Sequence, residues 1–443
     1  MVNPLFRTFL GVLEAVRPSL RRRAFARWVT VTVGWILTVD PRHSLAAALV
    51  AAGVATAEHF QNWYDWFARG SWDTDSLGLA ILRRVRSAFP DQPLHLVVDD
   101  SLNPHKGPHI FGLGCHIDPV LSSRAHKILR FGLCWVVLSV VVRVPFSKRF
   151  WALPILFRLY RNRKDCEAHG GPYAKKTELA RAMIDVVCRA FRDVPILGSG
   201  DVAYCNRTVL RDRPSNLHWV GAMHPRAALT ATPAPGGRRK RGERLPNPTE
   251  LAGDRRRRWK HAPAHLYGRT ERVAYKALRA QWYSVCGAAE VALVVVRTVA
   301  GAVPFRVFFS TDPSLDAVGL VEAYARRWPI EVFFAESRAW LGWGESAQRV
   351  EAAVLRMTPF VGWIYTLLVV WFAEGAWQQG GAYVPTRPWY NDKEGLCFAD
   401  IVRTAREVLR GVDIVRELRV YDKLGRWQSA ADNDPQLTLP LVA

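Results

Sequence analysis

Cysteine is scarce in this sequence: 443 residues contain seven, an odd number, and no two are spaced as Cys-x-x-Cys. That excludes a secreted disulfide scaffold and metal or redox sites built on cysteine pairs, and it suits a reducing compartment. Long apolar runs are scarce too. The longest, residues 131–142 and 359–373, fall short of the about 18–20 residues that span a bilayer. We therefore expect a buried strand, a buried helix and no membrane partner.

Acidic residues are in the minority. The chain has 39 Asp and Glu against 61 Lys and Arg, a net charge of +22, and only 11 of the basic residues are Lys. An excess of this size favours a polyanionic partner, nucleic acid before an anionic membrane, over a merely basic surface. The apolar content of 49% excludes disorder for most of the chain.

Both ends of the chain show helical periodicity. Residues 1–90 predict a small helical bundle, basic on one face, which is a candidate for DNA binding; the alternative is a solvated basic face. Residues 350–443 predict a long apolar helix over 361–372 and a charged helix over 400–418. The basic residues of the N-terminal bundle are Arg21, Arg22, Arg23 and Arg27.

The apolar pattern changes after residue 90 to the short runs that are typical of strands. Residues 94–98 predict a buried strand that ends at Asp99 and Asp100, and residues 194–197 predict another just before Asp201. Further strands are predicted over 131–142, 291–297 and 305–310, and a helix over 177–191.

A basic segment interrupts this pattern. Residues 236–260 contain ten Lys and Arg against three acids, with frequent Pro and Gly. We expect an exposed insertion that contacts phosphates; the alternative is a solvated loop. The candidate phosphate contacts are Arg238, Arg239, Lys240, Arg241, Arg255, Arg256, Arg257 and Arg258.

Three acids stand out by context: Asp99 or Asp100, Asp201, and Glu331. The carboxyl ends of neighbouring strands open into one crevice. Carboxylates gathered there suit Mg²⁺, and a pair of such ions activates water for phosphodiester cleavage. The alternative for each acid is a helix cap or a partner for one of the many Arg residues.

A helix around Glu331 carries the most specific spacing. Ser314 predicts the N-cap of a helix through Tyr324, and Pro329 begins or kinks the next one. With 3.6 residues per turn, Tyr324, Arg327, Glu331 and Arg338 fall on one helix face. A phenol and two guanidinium groups beside a carboxylate suit DNA phosphates near a metal.

These residues resemble the Y-x2-R-x3-E-x6-K pattern of bacterial insertion-sequence DDE transposases of the cut-and-paste class. Tyr324, Arg327 and Glu331 match it, and Arg338 stands where the family has Lys. Residues 98–101, with Ser101 in place of Thr, and residues 200–204 resemble the segments around the two Asp residues of that family. The resemblance covers about residues 90–350.

The resemblance implies an α/β fold: an RNase H-like catalytic core with a β-rich insertion. Together with the helical periodicity of the two ends, this predicts helical N- and C-terminal regions at 1–90 and 350–443, and between them 91–224 (first part of the core), 225–285 (basic insertion) and 286–349 (second part of the core). It also implies that Asp99, Asp201 and Glu331 hold two Mg²⁺, which Mn²⁺ can replace, with Asp99 preferred over Asp100. Tyr324, Arg327 and Arg338 would hold phosphates near the cut.

The expected activity is transposition: cleavage at the ends of the element and joining of the freed 3′-OH ends to target DNA. The expected partners are double-stranded DNA, as terminal inverted repeats and target, and a second copy of the chain in a homodimer on DNA. The expected location is the bacterial cytoplasm, at the nucleoid. The alternatives are an RNase H-like DNA nuclease without strand transfer and a catalytically inactive DNA-binding descendant.

Overall fold

The computed structural model describes residues 4–40, 42–107, 109–118, 121–123, 125–233, 239–298, 304–312, 314–380 and 395–424. Arg238 lies outside these ranges. The protein is a mixed α/β structure with one large sheet, as predicted. Its strands are β1 (Leu94–Pro104), β2 (Gly114–Ile117), β3 (Leu129–Arg143), β4 (Phe150–Tyr160), β5 (Ile196–Gly200), β6 (Leu217–Ala222), β7 (Leu229–Thr230), β8 (Arg244–Leu245), β9 (Lys260–Leu266), β10 (Arg269–Gln281), β11 (Glu290–Thr298) and β12 (Arg306–Ser310).

The helices precede, connect and follow these strands, with a 3₁₀ turn at Glu14–Ser19 and a π-helical turn at Phe372–Ala376. They are α1 (Pro4–Leu13), α2 (Arg22–Leu37), α3 (Leu45–Ala51), α4 (Gln61–Ala68), α5 (Thr74–Ala88), α6 (Arg163–His169), α7 (Lys176–Ala190), α8 (Arg207–Leu210), α9 (Pro248–Gly253), α10 (Tyr283–Cys286), α11 (Ala317–Ala325), α12 (Pro329–Leu341), α13 (Glu351–Trp371), α14 (Trp377–Gly380), α15 (Phe398–Leu409) and α16 (Ile414–Leu424).

The sheet runs in the order β2-β3-β1-β5-β6-β12-β11-β10-β7-β8, with β4 also pairing with β3 and β9 with β10. β1, β5 and β6 are parallel to one another, whereas the flanking pairs are antiparallel. The segment predicted as a basic insertion is therefore not only an exposed loop. Its strands β9 and β10 form a hairpin that extends the sheet through β11.

The first strand is longer than predicted. Residues 94–98 pair with β5 in parallel, but the ladder to β3 continues from His95 to Pro104. Asp99 and Asp100 thus lie inside β1, opposite Val137 and Val136. Polar residues ended the apolar run without ending the strand, because the antiparallel partner still satisfies the backbone there.

The N-terminal and C-terminal helices share one hydrophobic core with the sheet. Trp28 of α2 packs edge-on against Phe360 of α13, with ring centroids 5.0 Å apart. The indole nitrogen of Trp35 donates to the carbonyl oxygen of Leu341 at 2.8 Å. Aromatic contacts therefore join elements on both sides of the predicted divisions at residues 90 and 350, which remain predictions.

The apolar helix is longer than the run of residues 361–372 suggested. Glu351–Ala376 is long and apolar enough to cross a membrane by length and composition, and 89% of its apolar window is buried inside the structure. It packs against β4, where the indole nitrogen of Trp363 donates to the carbonyl oxygen of Ile155 at 2.8 Å. Here it is a central core helix.

Two helix predictions need correction. The charged helix over 400–418 is two helices, α15 and α16, separated by Gly411, whose positive φ of 74° ends a helical path. Ser314 is not the N-cap of α11: the carboxylate of Asp316 accepts from the Gly319 amide at 2.7 Å. Ser314 instead donates its hydroxyl to Asp312.

Candidate active site

The register of the parallel strands brings two of the predicted acids together. Val98 of β1 lies opposite Gly200 of β5, so the next residues, Asp99 and Asp201, lie at the same level. Parallel pairing ends here, and the chain after β5 turns away. One carboxylate oxygen of Asp201 accepts from the amides of Ala203 (2.9 Å) and Tyr204 (3.3 Å), which fixes that turn.

Arg327 connects the third acid to the first. Its Nη1 donates to Oδ2 of Asp99 at 2.7 Å and its Nη2 donates to Oε1 of Glu331, also at 2.7 Å. The guanidinium is 13% exposed and the Asp99 side chain 17%. A planar group with several donors suits such a bridge between two carboxylates. The structure therefore brings Asp99, Asp201, Glu331 and Arg327 to one place.

The four residues of the spaced motif do not share one helix. α11 ends at Ala325 and α12 begins at Pro329, so Tyr324, Arg327 and Glu331 lie on a helix, a turn and a second helix. Pro329 occupies the first turn of α12, where its missing amide hydrogen costs nothing. The prediction that the four residues share one helix face is therefore wrong. The turn between α11 and α12 still places Arg327 beside Glu331.

Burial raises the pKa of Asp99 to about 7; the charge of Asp201 adds to this rise and that of Arg327 opposes it. Burial also raises the pKa of Asp201, against the two amide hydrogen bonds. Burial alone would lower the pKa of Arg327, but the charges of Asp99 and Glu331 raise it. The partly buried carboxylates therefore need a nearby cation to stabilise their ionised forms. In the free protein that cation is Arg327.

Asp100, the alternative first ligand, has other partners. Its Oδ2 accepts from the Lys176 ammonium at 2.6 Å and its Oδ1 accepts from the Tyr204 hydroxyl at 2.8 Å. Neighbouring side chains on a strand point to opposite faces. Asp99, and not Asp100, shares the Arg327 guanidinium with Glu331, which favours Asp99 as the metal ligand. Sequence reasoning missed Lys176 altogether, and it included Tyr204 in the segment 200–204 without assigning it a role or a contact with Asp100.

Tyr324 lies beside Arg327, and Arg338 binds residues that follow Asp99 and Asp100 in β1. The Tyr324 ring lies against Phe308, with centroids 4.3 Å apart, and the Arg327 guanidinium lies 5.9 Å from its centre. Arg338 hydrogen-bonds Ser101 and the side-chain oxygen of Asn103. Burial lowers the pKa of Arg338. Arg338 therefore fastens α12 to the end of β1 in the free protein.

The candidate phosphate contacts that the structure describes are exposed. The run of four arginines follows α9 in a turn before β9, and Arg257 lies 3.8 Å from Asp254. Arg241 lies over the Tyr283 ring at 4.4 Å. This exposed basic surface suits phosphate contacts. Its described members are Arg239, Lys240, Arg241, Arg255, Arg256, Arg257 and Arg258.

The chemistry of the acids fits Mg²⁺, since carboxylate oxygens are its preferred protein ligands. Within the described part of the chain, no group of three His, Cys, Asp or Glu side chains is close enough to hold a metal ion. At this site Arg327 lies between Asp99 and Glu331 and pairs with both. The acids are therefore the right residue types to bind a metal ion, and the cation beside them in this structure is Arg327.

The comparisons with known proteins identify the family. The DDE superfamily endonuclease family matches residues 15–286, more than half of the chain. The protein belongs to this family, whose endonucleases generally use divalent metal ions. The match includes Asp99 and Asp201 and ends before Glu331.

Two further comparisons add little. A cryo-EM structure of a piggyBac transposase synaptic complex with hairpin DNA is similar at a TM-score of 0.39 and 13% identity, covering 99% of this chain and 81% of that one. A likeness at this level carries no argument. The search of curated proteins finds no match.

Proposed function

We propose that this DDE superfamily endonuclease is a DNA transposase of the bacterial insertion-sequence class. It cleaves phosphodiester bonds at the ends of its element and joins the 3′-OH ends to target DNA. The observation that carries the proposal is the meeting of Asp99, Asp201 and Glu331 around Arg327 at the end of the parallel strands. An RNase H-like core with a β-rich insertion is the fold that this proposal requires.

Asp99, Asp201 and Glu331 would hold two Mg²⁺, or Mn²⁺ in their place. When bound, these ions supply the activation of water and the stabilisation of the leaving oxygen. The chain does the rest. The amides after Asp201 orient its carboxylate, and Arg327, once released from the acids, is free to bind a DNA phosphate. We assign Tyr324 and Arg338 to phosphates beside the cut.

The exposed basic segment and the N-terminal helices would grip the DNA. The four exposed arginines at 255–258 and the net charge of +22 support a double-stranded DNA partner. Joining two ends calls for two active sites, so we propose a homodimer on DNA. The proposed location is the bacterial cytoplasm, at the nucleoid.

Cleavage of a plasmid that carries the gene's own flanking DNA tests the proposal. Wild type, Glu331→Gln and Glu351→Gln are incubated with the plasmid and Mg²⁺, and the products are mapped. Glu351 is the matched control, because it is an exposed glutamate in the first turn of another helix, α13, as Glu331 is in the first turn of α12. We expect cuts at the flanks and joined products with wild type and Glu351→Gln, and neither with Glu331→Gln.

Two outcomes would contradict this function. Cuts without joined products would favour the nuclease that lacks strand transfer. Salt-sensitive DNA binding with no cuts by wild type would favour an inactive DNA-binding descendant.

A further inference from the structure

Tyr204 contacts both β1 and the turn that follows β5. Its backbone amide donates to Oδ1 of Asp201 at 3.3 Å, and its hydroxyl donates to Oδ1 of Asp100 at 2.8 Å. The side chain is buried, 1% exposed. One residue therefore ties the turn after β5 to β1, next to Asp99.

Lys176 holds the other oxygen of the same carboxylate. It is the first residue of α7, and its Nζ lies 2.6 Å from Oδ2 of Asp100. The ammonium also lies 5.5 Å from the Tyr160 ring centre, on β4. A carboxylate with both oxygens bound to groups from different elements has little freedom to rotate.

The position of Asp99 depends, through the backbone, on how Tyr204 and Lys176 hold Asp100. The amide of Asp100 donates to Oδ1 of Asp99 at 2.8 Å. The turn after β5 is equally confined: a Cβ on Gly200 would lie 2.9 Å from the Cβ of Tyr204. Close packing of this kind limits the movement of the turn. The anchor at Asp100 thus bears on both Asp99 and Asp201.

We propose that Tyr204 and Lys176 are positioning residues that fix the separation of the Asp99 and Asp201 carboxylates by anchoring Asp100 from two sides. This inference rests on the proposed function, in which those two carboxylates hold metal ions. Groups that orient metal ligands without touching the metal typically change metal affinity or activity about 10–100-fold when they are removed.

Direct binding of Mn²⁺ tests the inference without an activity assay. Free Mn²⁺ is measured by electron paramagnetic resonance, with and without duplex DNA from the gene's flanks, for wild type, Tyr204→Phe, Lys176→Met and Asp99→Asn. Tyr365→Phe is the matched control. Tyr365 is also 1% exposed and donates its hydroxyl at 2.8 Å to a carboxylate, that of Glu336, outside the three acids.

We expect Tyr204→Phe and Lys176→Met each to weaken Mn²⁺ binding about 10-fold or more, and Tyr365→Phe to leave it unchanged. Hydrogen exchange gives a second readout. The amides of residues 201–205 should exchange faster in Tyr204→Phe than in wild type, because the turn loses its tie to β1.

The outcomes separate the two proposals. Mn²⁺ binding that Asp99→Asn abolishes and Tyr204→Phe leaves unchanged would overturn the positioning role and leave the proposed function standing. Equal weakening by Tyr365→Phe would also overturn it, since the effect would then be one of general stability. A wild type that binds no Mn²⁺, with or without DNA, would overturn both.

Discussion

Replacement of Arg327 by Ala tests whether a protein cation occupies the place of a metal. The side chain joins two carboxylates at 2.7 Å each. Removing one partner of a buried pair costs about 3–5 kcal/mol. Because Glu331 is 36% exposed, we expect a loss at the lower end, about 3 kcal/mol. A chain of this length has an unfolding entropy of about 0.9 kcal/mol/K. The expected loss of unfolding free energy therefore lowers the Tm by about 3 °C.

Calorimetry at pH 8 is the assay, so that Asp99, with its pKa of about 7, is ionised. In EDTA, Arg327→Ala should melt below wild type. Adding Mn²⁺ should raise the Tm of the variant more than that of wild type, because the ion no longer competes with the guanidinium. Arg326→Ala is the control, since Arg326 lies over the Phe150 ring at 5.0 Å. Equal Mn²⁺ effects in Arg327→Ala and wild type would refute the reasoning.

Three further predictions follow from single contacts. The folded pKa of Asp99, about 7, exceeds its ordinary 3.8, so its contribution to stability is fully present below pH 3.8 and is lost as pH rises through 7; urea unfolding should show wild type losing stability from pH 5 to 8, and Asp99→Asn losing less. Replacing Arg255–Arg258 with Gln should reduce the slope of the logarithm of the DNA-binding constant against the logarithm of the salt concentration by about 3–4, measured by fluorescence anisotropy. An unchanged slope would show that the DNA binds elsewhere. Asp316→Ala should destabilise the protein by about 1 kcal/mol in urea unfolding through loss of the α11 cap, and Ser314→Ala by less.

The apolar pattern predicted the strands well where the core decides them. Residues 131–142 and 291–297 fall inside β3 and β11, and residues 177–191 coincide with α7 to within a residue at each end. The ends of elements were harder, because contacts across the chain decide them. β1 continues for six residues past its apolar run, since β3 lies alongside it as far as Gly132.

Spacing alone could not reveal the break between α11 and α12. The Tyr324, Arg327 and Glu331 positions fit a helical period, and Pro329 is compatible with both a kink and a new start. The residues were recognisable because a turn of three residues advances the chain nearly as a helical turn would. The spacing correctly placed Arg327 beside Glu331, but it assigned them to one continuous helix, which was wrong.

The partners of the acids escaped sequence reasoning for a related reason. Lys176 and Tyr204 lie 76 and 104 residues from Asp100, and neither their residue types nor the 200–204 segment around Tyr204 indicates a contact with Asp100. Their contacts exist only because β1, β5 and α7 meet. What sequence left open, whether Asp99 or Asp100 faces the acids, is an outcome of strand alternation and of those distant partners.

Arg327 combines both kinds of information. Its spacing to Glu331 predicts a phosphate contact, whereas in the structure it neutralises Asp99 and Glu331. The two roles exclude each other at any one moment, because the same donors serve both. If Asp99 and Glu331 held a metal ion, the guanidinium of Arg327 would be released from them and would bind a DNA phosphate, which is negatively charged like the carboxylates. Metal and DNA should therefore bind with positive coupling, and Arg327→Ala should abolish that coupling.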